Sequence, residues 1–140
     1  MCALSISSNG STDVGQVRST NQDSFLVQPK DDLYIVADGM GGHAGGEIAS
    51  QLAVQEIAGY LKSHSDEIKR ESAHPNARIA NTMARAVNHA STKIYERALE
   101  EPNLRGMGTT ATVCKVIDGQ AYVAHVGDSR LYLIRCGYIY

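Results

Sequence analysis

Leu33-Tyr34-Ile35-Val36-Ala37-Asp38-Gly39-Met40-Gly41-Gly42-His43-Ala44-Gly45-Gly46-Glu47 is the stretch whose reading decides the fold. Leu33 to Ala37 is continuously apolar, which predicts a strand buried on both faces. Five glycines over residues 39–46 make the following segment a loop. A helix is predicted from about Glu47 to His64, because Ala49, Ala53, Ile57 and Leu61 recur every four residues with Ile48, Leu52 and Tyr60 beside them.

Working outward, Ser24 to Val27 reads as a strand joined to Leu33–Ala37 through the polar turn Gln28-Pro29-Lys30-Asp31-Asp32. Segment 3–12 is β-prone and reads as a further strand. Pro75 suits the first turn of a second helix, in which Ile79, Met83, Val87, Ala90, Ile94 and Ala98 form one apolar stripe. Arg85, Lys93, Arg97 and Glu100 stay on its wet side, and Pro102 ends it. Thr110 to Val116 alternates, with Ala111, Val113 and Lys115 on one face. Asp118-Gly119 is a hairpin signal and Ala121 to Val126 the return strand. Gly127-Asp128-Ser129 is a tight connection to a strand at Leu131–Ile134. Cys136-Gly137 turns into one more strand at Tyr138. Natural domains rarely end on such an unfinished apolar edge, so residues 1–140 read as a partial domain truncated within a strand.

Composition narrows the class. The 140 residues, 43% apolar and 20% charged, suit one globular domain without repeats or low-complexity segments. A net charge of -2 directs the chain to neither nucleic acid nor an anionic membrane surface. No apolar run approaches the roughly 20 residues that span a bilayer, and Met1 to Ser5 is no signal peptide. The three cysteines, Cys2, Cys114 and Cys136, are too far apart for a CxxC metal site and odd in number, which fits a reducing cytoplasm.

Three acids stand out by position. Asp23 precedes a strand, Asp38 follows a buried one, and Asp128 lies between two strands beside Gly127. Acids at strand ends next to glycine suit hard cations with oxygen ligands, and a carboxylate can bridge two such ions. Aspartates at strand–loop junctions also cap turns, and spacing alone leaves both readings open. The glycine loop is no nucleotide cradle: it ends Gly45-Gly46-Glu47, not Gly-Lys-Ser/Thr, and the glutamate would repel phosphate. His125, in an apolar strand, reads as a satisfied core or sheet-face residue. His64, His74 and His89 fall on helix ends or polar faces.

Arg18-Ser19-Thr20-Asn21-Gln22-Asp23, Val36-Ala37-Asp38-Gly39-Met40-Gly41-Gly42-His43, Gly108-Thr109-Thr110 and Val126-Gly127-Asp128-Ser129-Arg130 resemble, in order, the motifs of PPM-type (protein phosphatase 2C-like) serine/threonine phosphatases of the bacterial branch. The resemblance covers essentially the whole chain as the N-terminal half of such a domain. It implies an α/β (α+β) four-layer αββα sandwich of two antiparallel sheets flanked by helices, here incomplete. It implies hydrolysis of phosphoserine and phosphothreonine in proteins that a kinase has phosphorylated, with two Mn²⁺ or Mg²⁺ ions and a third, weaker one. Asp38 would bridge two ions, the Gly39 carbonyl would bind one, and Asp128 would help hold the third. Asp23 would act through metal-bound water or from behind the ligands, and Arg18 would grip the phosphate. His43 would protonate the leaving oxygen. Thr109 and Thr110 would shape the site.

The chain departs from the family pattern twice. Gln22 stands where many members carry glutamate, and two further metal-binding aspartates of the family, in DG and DN motifs, lie downstream of the Asp128 motif and beyond Tyr140. Residues 1–140 alone are therefore expected to be inactive. The alternative is a non-catalytic, phosphoprotein-binding or regulatory member.

Overall fold

The computed structural model describes residues 5–42, 45–70 and 73–140. Strands β1 (Asp23–Gln28) and β2 (Leu33–Met40) form an antiparallel pair, joined by a 3₁₀ turn at Pro29–Asp31. Helices α1 (Gly45–Ser63), α2 (Ser65–Lys69) and α3 (Pro75–Glu100) follow. Then come β3 (Gly108–Thr109), β4 (Ala111–Ile117), β5 (Gln120–Val126) and a small hairpin, β6 (Ile134–Arg135) with β7 (Tyr138–Ile139). The main sheet has the order β1-β2-β4-β5, with β3 pairing the end of β2, and β6-β7 is a separate two-stranded sheet. The architecture is α+β with two antiparallel sheets. No second helical layer, and no helix long and apolar enough to cross a membrane, is found among the described residues.

The core lies between one face of the main sheet and the helices. Leu33, Ile35, Ala37, Ala111 and Val113 point into it from the strands. Ala49, Ala53, Ile57 and Leu61 of α1 and Ile79, Met83, Ala86, Ala90 and Ile94 of α3 close it. Alanine at four of these helix positions leaves little side chain between the backbones, so α1 and α3 pack closely. His89 on α3 pairs with Glu56 on α1 at 2.9 Å across the rim.

Leu33–Ala37 is buried on one face only. Burial alternates, and Val36 is 52% exposed because α1 and α3 cover a single side of the sheet. The predicted strand at 3–12 does not form over 5–12, and residues 3 and 4 lie outside the described residues. Asn9 and Asp13 instead accept bonds from the nearby Gly10 and Gly15 N–H groups, local pairings that compete with a ladder. The segment still touches the sheet, since Gly10 packs against the Phe25 ring. Leu131–Ile134 is likewise only partly a strand. The hairpin is held by two bonds between Leu133 and Tyr140, of 3.1 and 2.9 Å, and pairs with no strand of the main sheet among the described residues. Its turn, Cys136-Gly137, has φ of 52° and 81°, as Asp118-Gly119 has 50° and 76°. Positive φ at both central residues matches the tight two-residue turn that suits right-twisted strands.

Candidate active site

Asp38 is placed by strand periodicity. Leu33, Ile35, Ala37 and Gly39 turn toward the helices, so Asp38 emerges on the opposite, exposed face at the end of β2. The antiparallel register sets Asp23 directly across from it, and residues opposed in this way carry their side chains on the same face. Two carboxylates are thereby fixed side by side by the ladder.

The backbone around Asp38 is held from both sides. Its N–H donates to Thr110 Oγ1 at 3.0 Å, and its carbonyl accepts from the Thr110 N–H at 2.9 Å and the Thr109 hydroxyl at 3.0 Å. The Gly39 N–H donates to the Gln22 carbonyl at 3.1 Å. Gly39 has to be glycine: a Cβ there would lie 2.0 Å from the Gly46 carbonyl oxygen, where α1 starts against the strand end. On the other flank, Asn21 accepts the Asp23 N–H at 3.0 Å and donates to Thr12 Oγ1 at 2.8 Å, pinning the entry to β1.

Asp128 arrives from the turn after β5. Thr110 Oγ1 and Ser129 Oγ share a 2.7 Å hydrogen bond, so one hydroxyl links the Asp38 backbone to the Asp128 turn. Gly127 has φ of 104°, and a Cβ on it would lie 2.6 Å from Thr110 Cγ2. His125 fixes the turn from below. Its Nε2 donates to the Gly127 carbonyl at 3.0 Å, and its Nδ1 meets the Thr112 hydroxyl at 2.9 Å, the satisfied sheet-face histidine foreseen from sequence.

The Asp38 carboxyl is held above its ordinary value of 3.8. Burial contributes most, followed by the Asp23 charge, a hydrogen bond with the Asp23 carboxyl and the Asp128 charge, while Arg18 pulls it back. Asp23, Asp128 and Arg18 therefore all act on the Asp38 carboxyl. Among the described residues no three His, Cys, Asp or Glu side chains gather tightly enough to cage an ion by themselves. The donor set is all oxygen, rich in acids that repel one another, and next to a buried glycine carbonyl segment. It fits a hard divalent cation that completes its shell with further oxygens.

The sequence-predicted site residues Asp38, Asp23, Asp128 and Arg18 are thus brought together, and Gly39 sits beside them. His43 lies outside the described residues. Sequence reasoning singled out neither Ser129 nor the fastening role of Asn21. The signal for both was adjacency: each lies within two residues of an acid, inside a motif.

Comparison with known proteins follows the same pattern. The family model described as protein phosphatase 2C matches residues 15–137. The protein phosphatase PhpP of Streptococcus pneumoniae is 38% identical over 128 residues, covering 89% of this chain and 48% of PhpP. The serine/threonine protein phosphatase PstP of Mycobacterium tuberculosis is 37% identical over 126 residues, covering 90% of this chain and 22% of PstP. The crystal structure of M. tuberculosis PstP superposes with a TM-score of 0.74 at 35% identity, covering 90% of this chain and 48% of that one. The PstP catalytic domain in complex with two manganese ions gives a TM-score of 0.71 at 35% identity, covering 89% of this chain and 49% of that one. The chain spans about half the length of PhpP and less of PstP.

Proposed function

Because the chain belongs to the protein phosphatase 2C family, we propose that it carries the first half of a catalytic centre that hydrolyses phosphoserine and phosphothreonine in proteins, using divalent cations held by Asp38 and its neighbours. The observation that carries this reading is the Asp38 carboxyl itself. It is raised by burial and by two like-charged neighbours, an arrangement that a bound cation relieves. Manganese in the PstP catalytic domain supports Mn²⁺ as the ion, with Mg²⁺ as the other candidate for the same oxygen ligands.

Asp38 would hold two ions, with the Gly39 carbonyl and Asp128 as further ligands and Asp23 beside Asp38 as ligand or as acceptor for coordinated solvent. When bound, such ions neutralise charge on the phosphoryl oxygens and make water acidic enough to react near neutral pH. The rest is the work of the chain. Arg18 offers a planar pair of donors to the phosphate and aligns it against the acids. Thr110 fixes the Asp38 backbone, so the carboxylate is presented from a held strand end. His43 follows Asp38 closely in sequence and is the proposed proton donor to the departing serine or threonine oxygen. Substrates are phosphoproteins made by an opposing serine/threonine kinase, and the setting is the cytoplasm.

The test is phosphate release from a phosphothreonine peptide and a phosphotyrosine peptide by the complete protein that carries residues 1–140, since residues 1–140 alone are expected to be inactive. Turnover of the first, loss in EDTA and return with Mn²⁺ are expected. EDTA-insensitive turnover, or none with any phosphopeptide, overturns the reading.

A further inference from the structure

At the far end of β2 from Asp38 the strand turns, α2 and the start of α3 enclose a second cleft of about 1180 Å³. Its walls are the β1–β2 turn, the β4–β5 turn, the end of α2 and the first turn of α3. Lys30, Lys69, Arg70, Arg78 and Lys115 line it. Asp31, Asp32 and Asp118 are the acids among the described lining residues, against five cations, so this lining is basic on a chain whose net charge is -2.

These cations are not used up by the fold. None of the five forms an ion pair with a described carboxylate. Arg78 donates one bond, from Nη2 to the Ile68 carbonyl at 3.0 Å, and among the described residues its Nε and Nη1 have no partner although both are covered. Covered donors of a charged group left unsatisfied are costly, and an anion that reached them would relieve that cost. Among the described residues Lys115 Nζ donates to the Asp31 carbonyl and to no carboxylate. Burial, with Lys69 nearby, depresses its ammonium, although Asp31 and Asp32 oppose this. The polar floor continues through Tyr122, whose hydroxyl donates to Asn76 Oδ1 at 2.7 Å.

We infer that this cleft binds a second phosphoryl group of a multiply phosphorylated protein segment whose first phosphoryl group occupies the Asp38 site. The inference rests on the phosphatase reading above. A phosphoryl dianion matches an Arg–Lys cluster better than one carboxylate does, because three oxygens can take several N–H donors at once. The cleft is also far larger than one phosphate, which suits a phosphorylated side chain with its flanking backbone. Leu33, beside the cleft, and Asp38 are five steps apart on β2, about 17 Å at ~3.4 Å per residue, and face opposite sides of the sheet, so the segment that bridges the two sites must exceed roughly six extended residues. The gain is effective concentration: a segment held at one end is presented to the other without a second diffusional encounter.

The experiment compares three peptides under Mn²⁺. The first carries a single phosphothreonine. The second adds a non-hydrolysable phosphonate analogue of phosphoserine about eight residues away, and the third carries glutamate there. The complete protein that carries residues 1–140 is tested as wild type and as the exposed double variant Lys69→Glu/Arg70→Glu, with unchanged thermal unfolding confirming its fold. In the wild type, KM for the second peptide should be about 5- to 10-fold below that for the first at equal kcat. The variant should erase that difference and leave KM for the first peptide unchanged. Equal KM values for the first two peptides in the wild type, a difference that survives in the variant, or equal benefit from glutamate overturns the inference. Absence of turnover with the first peptide defeats the phosphatase reading instead. Fluorescence anisotropy with the phosphonate peptide on metal-free Arg18→Ala protein then decides the cleft alone: binding lost on adding Lys69→Glu/Arg70→Glu supports it, and no binding or unaffected binding overturns it.

Discussion

Asp38 costs the metal-free protein stability, and the sign can be followed. Its carboxyl titrates higher in the fold than its ordinary 3.8, so folding favours the neutral form. The penalty is absent well below pH 3.8, grows as pH rises through that value and the raised folded one, and is complete at neutral pH. Asp38→Asn should therefore unfold at the same or a higher temperature than wild type in EDTA at pH 7. The advantage should shrink toward pH 4, a comparison that thermal melts at the two pH values provide. The side chain is exposed, so solvent screens the effect and it should be small. A variant clearly less stable than wild type at pH 7 would contradict the repulsion. Thr110 acts differently. Thr110→Val removes the hydroxyl that receives the Asp38 N–H and meets Ser129 while keeping the volume. It should lower stability by about 1–2 kcal/mol and weaken Mn²⁺ binding about 10- to 100-fold, as loss of a ligand-orienting partner does. Chemical denaturation and a metal titration measure the two. The Thr110–Ser129 contact was not legible in the sequence, because nothing local marks a bond between hydroxyls nineteen positions apart. Asp38 was legible because it stands where an apolar strand gives way to glycine.

Helices α1 and α3 and strands β1, β2, β4 and β5 follow from periodicity and turn chemistry. Where these signals are strong the residues dictate the element: Pro75 begins α3, and Asp118-Gly119 turns β4 into β5. Where they are weak, tertiary context decides. Leu33–Ala37 reads as buried on both faces since Val36 and Tyr34 are apolar or aromatic, yet helices cover only the other set. Residues 5–12 read as a strand from Ile6 and Thr12, yet Ser, Asn and Gly make up the rest, and Asn9 bonds the neighbouring Gly10 N–H rather than a ladder. Two substitutions separate the helix layer from the site. Ile57→Ala opens a void where α1 meets the sheet, at 1% exposure, and should cost about 2–5 kcal/mol in denaturant unfolding. Gly127→Ala pushes a methyl group onto Thr110 at a positive φ. It should cost about 1–3 kcal/mol and, unlike Ile57→Ala, reduce Mn²⁺ affinity under conditions where the protein remains folded. Equal metal affinity in the Gly127→Ala protein would show that the Asp128 turn does not shape the site.

The molecule as a whole places its acids at one end of the main sheet and a basic cleft at the other, with the helix layer along one face between them. Two of the four motif stretches that reached the family from sequence encode a backbone demand, a close approach at Gly39 or a left-handed turn at Gly127, together with a carboxylate. The basic cleft gave no such signal, since its cations come from separate turns and helices that only the fold assembles. The central claim is that Asp38 is the ligand on which cation binding depends. Calorimetric titration of Mn²⁺ into the metal-free protein tests it, with wild type and Asp38→Asn compared at pH 7. The account predicts saturable binding by the wild type and at least a hundredfold weaker binding by the variant, with the variant's fold intact by circular dichroism. Equal Mn²⁺ affinity in the two proteins would contradict it.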